Sequence, residues 1–144
     1  MQPSRWGFAV VVGVAVIACG AHRSSLDRLE ETLLFYHSHL KAQDLERAAA
    51  YVAPEAIEDF DALHNPERNI LLIEDFAVAS WTEDPETEKM VVLVRANVRK
   101  RDSITMRTVR LREVWEKRGG RWVLIQERML SASDPIEPGG TRER

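Results

Sequence analysis

The chain has 144 residues, with 20 basic and 23 acidic side chains and a formal net charge of -3 at neutral pH. That length fits one domain with a single modest core, and the lone cysteine excludes an internal disulfide, so packing alone must hold the fold. The sequence contains no phosphate-binding glycine loop, no nucleotide fingerprint and no serine–histidine–acid set of familiar spacing.

The first segment is oily. Residues 6–18 run directly into Cys19, with Arg5 and the amino terminus supplying positive charge ahead of them. Thirteen residues fall short of the roughly 20 needed to span a bilayer as a helix, and suit the apolar core of a secretory signal. The closing Val16-Ile17-Ala18-Cys19 resembles the lipobox of bacterial lipoproteins. That resemblance implies cleavage between Ala18 and Cys19, with a diacylglycerol on the thiol and an amide-linked fatty acid on the new amino terminus. Two or more acyl chains anchor stably, whereas one binds only marginally. An ordinary cleaved signal and an uncleaved amino-terminal anchor are the alternatives. Gly20 stands where such lipoproteins carry an aspartate for inner-membrane retention, which implies the periplasmic face of the outer membrane. The membrane is then a partner through lipid, and nucleic acid is not expected there.

Residues 20–25 form a short tether, reaching about 20 Å at full extension. Ser24 with Asp27 matches a capping box. Leu26, Leu29, Leu33, Tyr36 and Leu40 follow at helical spacing. Asp44 caps a second helix carrying Leu45, Ala48, Ala49 and Val52 on one face. Pro54 starts a third helical segment through Leu63, which His64-Asn65-Pro66 punctuates. The period then changes. Residues 70–81, 90–98, 104–115 and 122–130 are rich in branched and aromatic side chains and predict strands. In the third, Ile104 and Met106 share one parity while Val109, Leu111 and Trp115 share the other, which predicts two apolar faces or a bulge near Arg107. Short connections predict an antiparallel meander, and helices followed by strands predict an α+β layer fold. The division expected is a signal peptide at 1–18, the lipidated cysteine and tether at 19–25, the α+β domain at 26–130 and a disordered tail at 131–144. There is no internal repeat of about 20 to 50 residues.

Two stretches carry a second resemblance. Residues 40–48 (LKAQDLERA) make a polar break and restart between helices, and residues 113–124 (EVWEKRGGRWVL) pair two tryptophans about a glycine turn. In these features the mature domain resembles the NTF2-like (cystatin-like cone) superfamily. The resemblance implies amino-terminal helices packed on a curved four-stranded antiparallel sheet, with residues 53–69 standing in for the usual small helix and first hairpin. In enzymes of that superfamily, a histidine or acid in the cone often acts as general base.

The candidate pocket residues are Tyr36, His37, Arg95, Glu113, Trp115 and Glu127. His37 and His39 lie about 200° apart on a helix and cannot share one metal, and no second ligand pair accompanies them, so neither metal nor cofactor is expected. Glu113 interrupts the apolar parity of its strand. Facing inward it would have a raised pKa suited to acid–base work, with Glu127, Arg95 and Asn97 as neighbours. Facing outward it would pair with an arginine across the ladder, and this is the expected arrangement. Charge is also segregated. Eleven acids between residues 55 and 88 face Arg68 alone, and ten bases between 95 and 121 face three acids. The leading expectation is a membrane-anchored lipoprotein with a non-catalytic domain binding a protein or small-molecule ligand. The alternatives are a small-molecule lyase, isomerase or hydrolase with a cone-shaped pocket, and a scaffold docking an anionic envelope partner through the arginine-rich sheet face.

Overall fold

The computed structural model describes residues 24–68 and 71–131. Ala18, Cys19, the signal segment, most of the tether and the tail from residue 132 onward lie outside the described residues.

Helix α1 (Ser25–Lys41) begins where the capping box predicts. The Asp27 amide donates to Ser24 Oγ at 3.1 Å, and the Ser24 amide donates to the Asp27 carboxylate at 3.0 Å. Its stripe of Leu29, Leu33, Tyr36 and Leu40 is buried, while Leu26 in the first turn is 43% exposed. Helix α2 (Leu45–Ala49) starts at Asp44, whose carboxylate accepts the Arg47 amide. Between Ala53 and Asn65 the chain forms a 3₁₀ turn (Pro54–Ala56) and helix α3 (Ile57–His64).

The four strands are β1 (Leu71–Glu83), β2 (Met90–Lys100), β3 (Met106–Arg118) and β4 (Arg121–Leu130), paired antiparallel in the order β1-β2-β3-β4. The α+β class and the meander stand. The curvature does not, because the sheet is open and uncurled, with β1 and β4 as its edges. The stretch from Ala53 to Asn65 contributes helix rather than a further hairpin, so nothing extends the sheet into a cone. Residues 51–53 instead lie along β4, where the Ala53 amide donates to Leu124 O and the Leu124 amide to Tyr51 O, each at 2.8 Å. That single bridge covers part of an edge which would otherwise be free to pair with another chain.

The expected phase slip near Arg107 is absent. The β2–β3 ladder runs without interruption from Arg99↔Met106 to Met90↔Trp115. Ile104 precedes the strand and is 98% exposed, so its parity carries no information about the sheet. Register shifts occur elsewhere, at Glu74 and Ala79 in β1 and at Ile125 in β4. The last matters most. Trp122 and Leu124 share one parity, and the extra residue Ile125 moves the following inward positions to Glu127 and Met129. Helices cover one sheet face, where Val92, Val94, Ala96, Val98, Leu111, Trp115 and Leu124 meet the α1 stripe in one core. The Trp122 indole donates to Ser25 O at 3.0 Å and ties the start of α1 to β4. Among the described residues, no helix covers the other face of the sheet.

Candidate functional site

Polar groups enter the covered face from four elements. Leu111, Glu113 and Trp115 alternate inward on the unbroken β3, so Glu113 is fully buried and not paired with an arginine outside. The expected ion pair across the ladder is corrected by that regular parity. His37, one residue beyond Tyr36 on the inner side of α1, places Nε2 2.6 Å from Glu113 Oε1 and Nδ1 2.8 Å from Leu33 O. Both ring nitrogens face potential acceptors, an arrangement that suits a protonated imidazole. The Trp115 indole donates to Glu113 Oε2 at 2.9 Å, so both carboxylate oxygens are acceptors. Phe76 of β1 closes this pair, its ring centroid 4.4 Å from that of His37.

A second carboxylate sits beside the first, since Glu113 and Glu127 are directly opposite in the β3–β4 register. Glu127 Oε2 accepts from Tyr36 Oη at 2.9 Å and lies 2.7 Å from His64 Nε2 at the end of α3. Its other oxygen, Oε1, is buried without a partner among the described residues. Burial pulls the His37 pKa down, but the Glu113 charge and hydrogen bond outweigh it and hold the imidazole above its ordinary value. Burial likewise pushes Glu127 up, and the charge and hydrogen bond of His64, with the Tyr36 hydroxyl and the His37 charge, bring it below the ordinary carboxylate value. Tyr36 is pushed far up by burial and by the two neighbouring carboxylates.

Of the sequence candidates, Tyr36, His37, Glu113, Trp115 and Glu127 therefore converge. Arg95 does not. It is exposed on the opposite face, and Asn97 beside it accepts from Thr108 Oγ1 at 2.8 Å. His39 leans on Tyr51 outside the cluster, with centroids 6.1 Å apart. Sequence reasoning missed His64, whose only signal was its place at a helix end. It lines two small cavities of about 70 and 20 Å³, walled largely by Leu40, Leu45, Leu71, Ile73 and Leu111. Among the described residues, no group of three or more His, Cys, Asp or Glu is placed to hold a metal ion, and no helix is long and apolar enough to cross a membrane.

The bare face is built differently. The row Ser80–Leu93–Arg112–Arg128 crosses all four strands in register, and the next row sets Arg95 against Arg110. Arg112 donates to Gln126 Oε1 at 3.3 Å and Arg110 to Ser131 O at 2.9 Å. No carboxylate among the described residues lies within 4 Å of Arg95, Arg110, Arg112 or Arg128. By contrast Arg99 pairs with Glu74, and Arg118 with Glu55 and Glu116. Over the row lies a groove of about 440 Å³, with Val91, Leu93 and Leu130 in its lining and Glu83 and Asp84 at the β1 side.

No known family model matches the chain, and no curated protein matches its sequence. One solved structure is similar in fold: RPA3114, a SEC-C motif containing protein from Rhodopseudomonas palustris. It is 18% identical, with a TM-score of 0.57, over 76% of this chain and 83% of that one. That finding corrects the NTF2-like resemblance, because the structural neighbour is a SEC-C motif protein and not an NTF2-like lipoprotein. Residues 40–48 and 113–124 misled because any capped helix restart and any tight hairpin with cross-strand aromatics look the same in sequence.

Proposed function

We propose that this protein is a lipid-anchored, non-catalytic binding domain of the bacterial cell envelope. It is held through Cys19 at the periplasmic face of the outer membrane, and docks an anionic protein partner on the bare face of its sheet. The observation that carries the reading is the register pair Arg112↔Arg128, two like charges directly opposite each other with no carboxylate of the described residues within 4 Å. Like charges so placed destabilise a ladder, and an anionic partner relieves the repulsion. The acid–base groups on the covered face weigh towards binding rather than turnover. They are packed against one another, and the cavities at His64, about 70 and 20 Å³, are far below the roughly 300 Å³ of small-molecule sites.

The test is site-specific photocrosslinking in intact cells. A photoreactive side chain at Leu93, in the groove, should give a discrete adduct, and one at Leu34, 57% exposed on α1, should not. Equal labelling from both positions, or none from Leu93, would refute the reading.

A further inference from the structure

The groove on the bare face changes chemistry from strand to strand. Along its floor, the row Ser80–Leu93–Arg112–Arg128 carries a hydroxyl on β1, an apolar side chain on β2 and a cation on each of β3 and β4. The neighbouring row repeats the order on its first two strands, with Thr82 on β1 opposite Val91 on β2. Glu83 belongs to neither row, because it stands opposite the buried Met90 on the covered-face side. No carboxylate of the described residues lies within 4 Å of Arg112 or Arg128, and Arg112 directs one donor to Gln126 Oε1. Leu93 and Val91 are only half-buried, so accessible apolar surface lies directly beside the two cations.

We infer that the groove takes an extended segment of the protein partner that carries an acidic residue and, two positions along, an apolar one. Neighbouring strands lie about 4.8 Å apart, so the point midway between Arg112 and Arg128 is about 7 Å along the row from Leu93. An extended chain rises about 3.3 Å per residue and sends alternate side chains to one side, so positions i and i+2 face the sheet about 7 Å apart. The carboxylate then lies between two guanidiniums, each suited to hold it with paired N–H donors. The apolar side chain covers Leu93 and Val91, and the segment continues over the hydroxyls of Ser80 and Thr82. Adjacent positions point to opposite sides and cannot meet both features. A purely polar anion satisfies the arginines but leaves Leu93 and Val91 against water, so the apolar contact provides the selectivity. The inference deepens the docking reading and rests on it.

Fluorescence anisotropy of labelled twelve-residue peptides on the full-length protein in neutral detergent tests the inference. Two peptides share a Thr/Ser background, one Asp and one Leu, and differ only in order. In the first the Leu lies two positions from the Asp, and in the second it is adjacent. The first should bind about tenfold more tightly, because only its leucine leaves water when the carboxylate is held. Leu93→Ser should reduce that preference to about twofold, while Arg112→Gln with Arg128→Gln should weaken both peptides and flatten their salt dependence. Equal binding of the two peptides by the wild-type protein overturns the inference and leaves the docking reading intact. Failure of both peptides to bind, with the Leu93 adduct still present in cells, does the same. Loss of that adduct removes the docking reading itself. Asp134 and Ile136 repeat the pattern within this chain, so the measurement is repeated on protein lacking residues 132–144. Unchanged affinity supports a partner, and a tenfold rise would make this chain's own end the occupant and overturn the assignment.

Discussion

Replacing Glu113 with leucine removes the acceptor on which two buried donors depend. His37 Nε2 lies 2.6 Å from one carboxylate oxygen, and the Trp115 indole donates to the other at 2.9 Å. The His37 and Glu113 side chains are 1% and 0% exposed, so water cannot take the place of the lost acceptor. An orphaned buried donor costs about 1–3 kcal/mol, and more when charged. Two of them give roughly 2–6 kcal/mol, a large share of the 5–15 kcal/mol typical of a domain, given as an order of magnitude. Leucine nearly fills the vacated volume, so little of the loss comes from a cavity. Glu113→Leu should therefore cost about 4 kcal/mol. Glu113→Gln should cost about half of that, because the carboxamide oxygen still accepts one bond. The double variant His37→Leu with Glu113→Leu replaces the pair with apolar groups, and should recover about 2 kcal/mol relative to the sum of the singles. The assay is urea unfolding of the full-length protein at pH 5.5, followed by tryptophan fluorescence. If Glu113→Leu lies within about 1 kcal/mol of wild type, or the double variant loses the full sum, Glu113 does not hold the two donors in the folded state.

The pH dependence follows from two opposite shifts. His37 is raised above its ordinary 6.5, so its contribution is complete below that value and is lost as pH climbs through the folded pKa. Glu127 is lowered from 4.5, so its contribution is complete above that value and is lost as pH falls through the folded pKa. Unfolding midpoints should thus be highest between pH 4.5 and 6.5 and fall on both sides, and a monotonic rise to pH 8 would contradict the assignment. Gly119 and Gly120 have φ of +56° and +78°, and an added methyl at either would meet open space, so alanine there costs only backbone strain, about 1–2 kcal/mol by denaturation. Cys19→Ser should abolish incorporation of labelled fatty acid and release the protein from membranes, and persistent labelling would refute the lipid anchor.

Elements with local causes were legible from the sequence. The 3.6-residue stripe of α1, its Ser24–Asp27 cap and the glycine turn each depend on residues a few positions apart, and each appears where expected. Features whose causes lie across the fold were not. The inward position of Glu127 depends on the bulge at Ile125, which exists only in the pairing with β3. His64 reads as punctuation because its partner is 63 residues away. Ile104 spoiled the parity of β3 because an exposed loop isoleucine looks like a strand residue until the ladder is known to start at Met106. Arg95 lies on the strand next to Glu113 in sequence order, but it sits at an outward position of β2.

The β3–β4 ladder itself explains why the two faces behave differently. Two successive register pairs, Arg112↔Arg128 and Glu113↔Glu127, set like charges opposite one another on opposite faces of the same sheet. Inside, the carboxylates have left water, and each is matched by a histidine, His37 for Glu113 and His64 for Glu127. Buried charge without such a partner costs several kcal/mol per ion, by order of magnitude. Outside, the arginines keep their water, so folding does not require a counter-charge, and none of the described acids lies within reach of Arg112 or Arg128. The interior pair is thus given hydrogen-bond partners by the requirements of the fold, while the exterior pair is under no such requirement. A residual charge that folding leaves uncompensated, beside a groove with an apolar lining, is where an external partner gains most from binding.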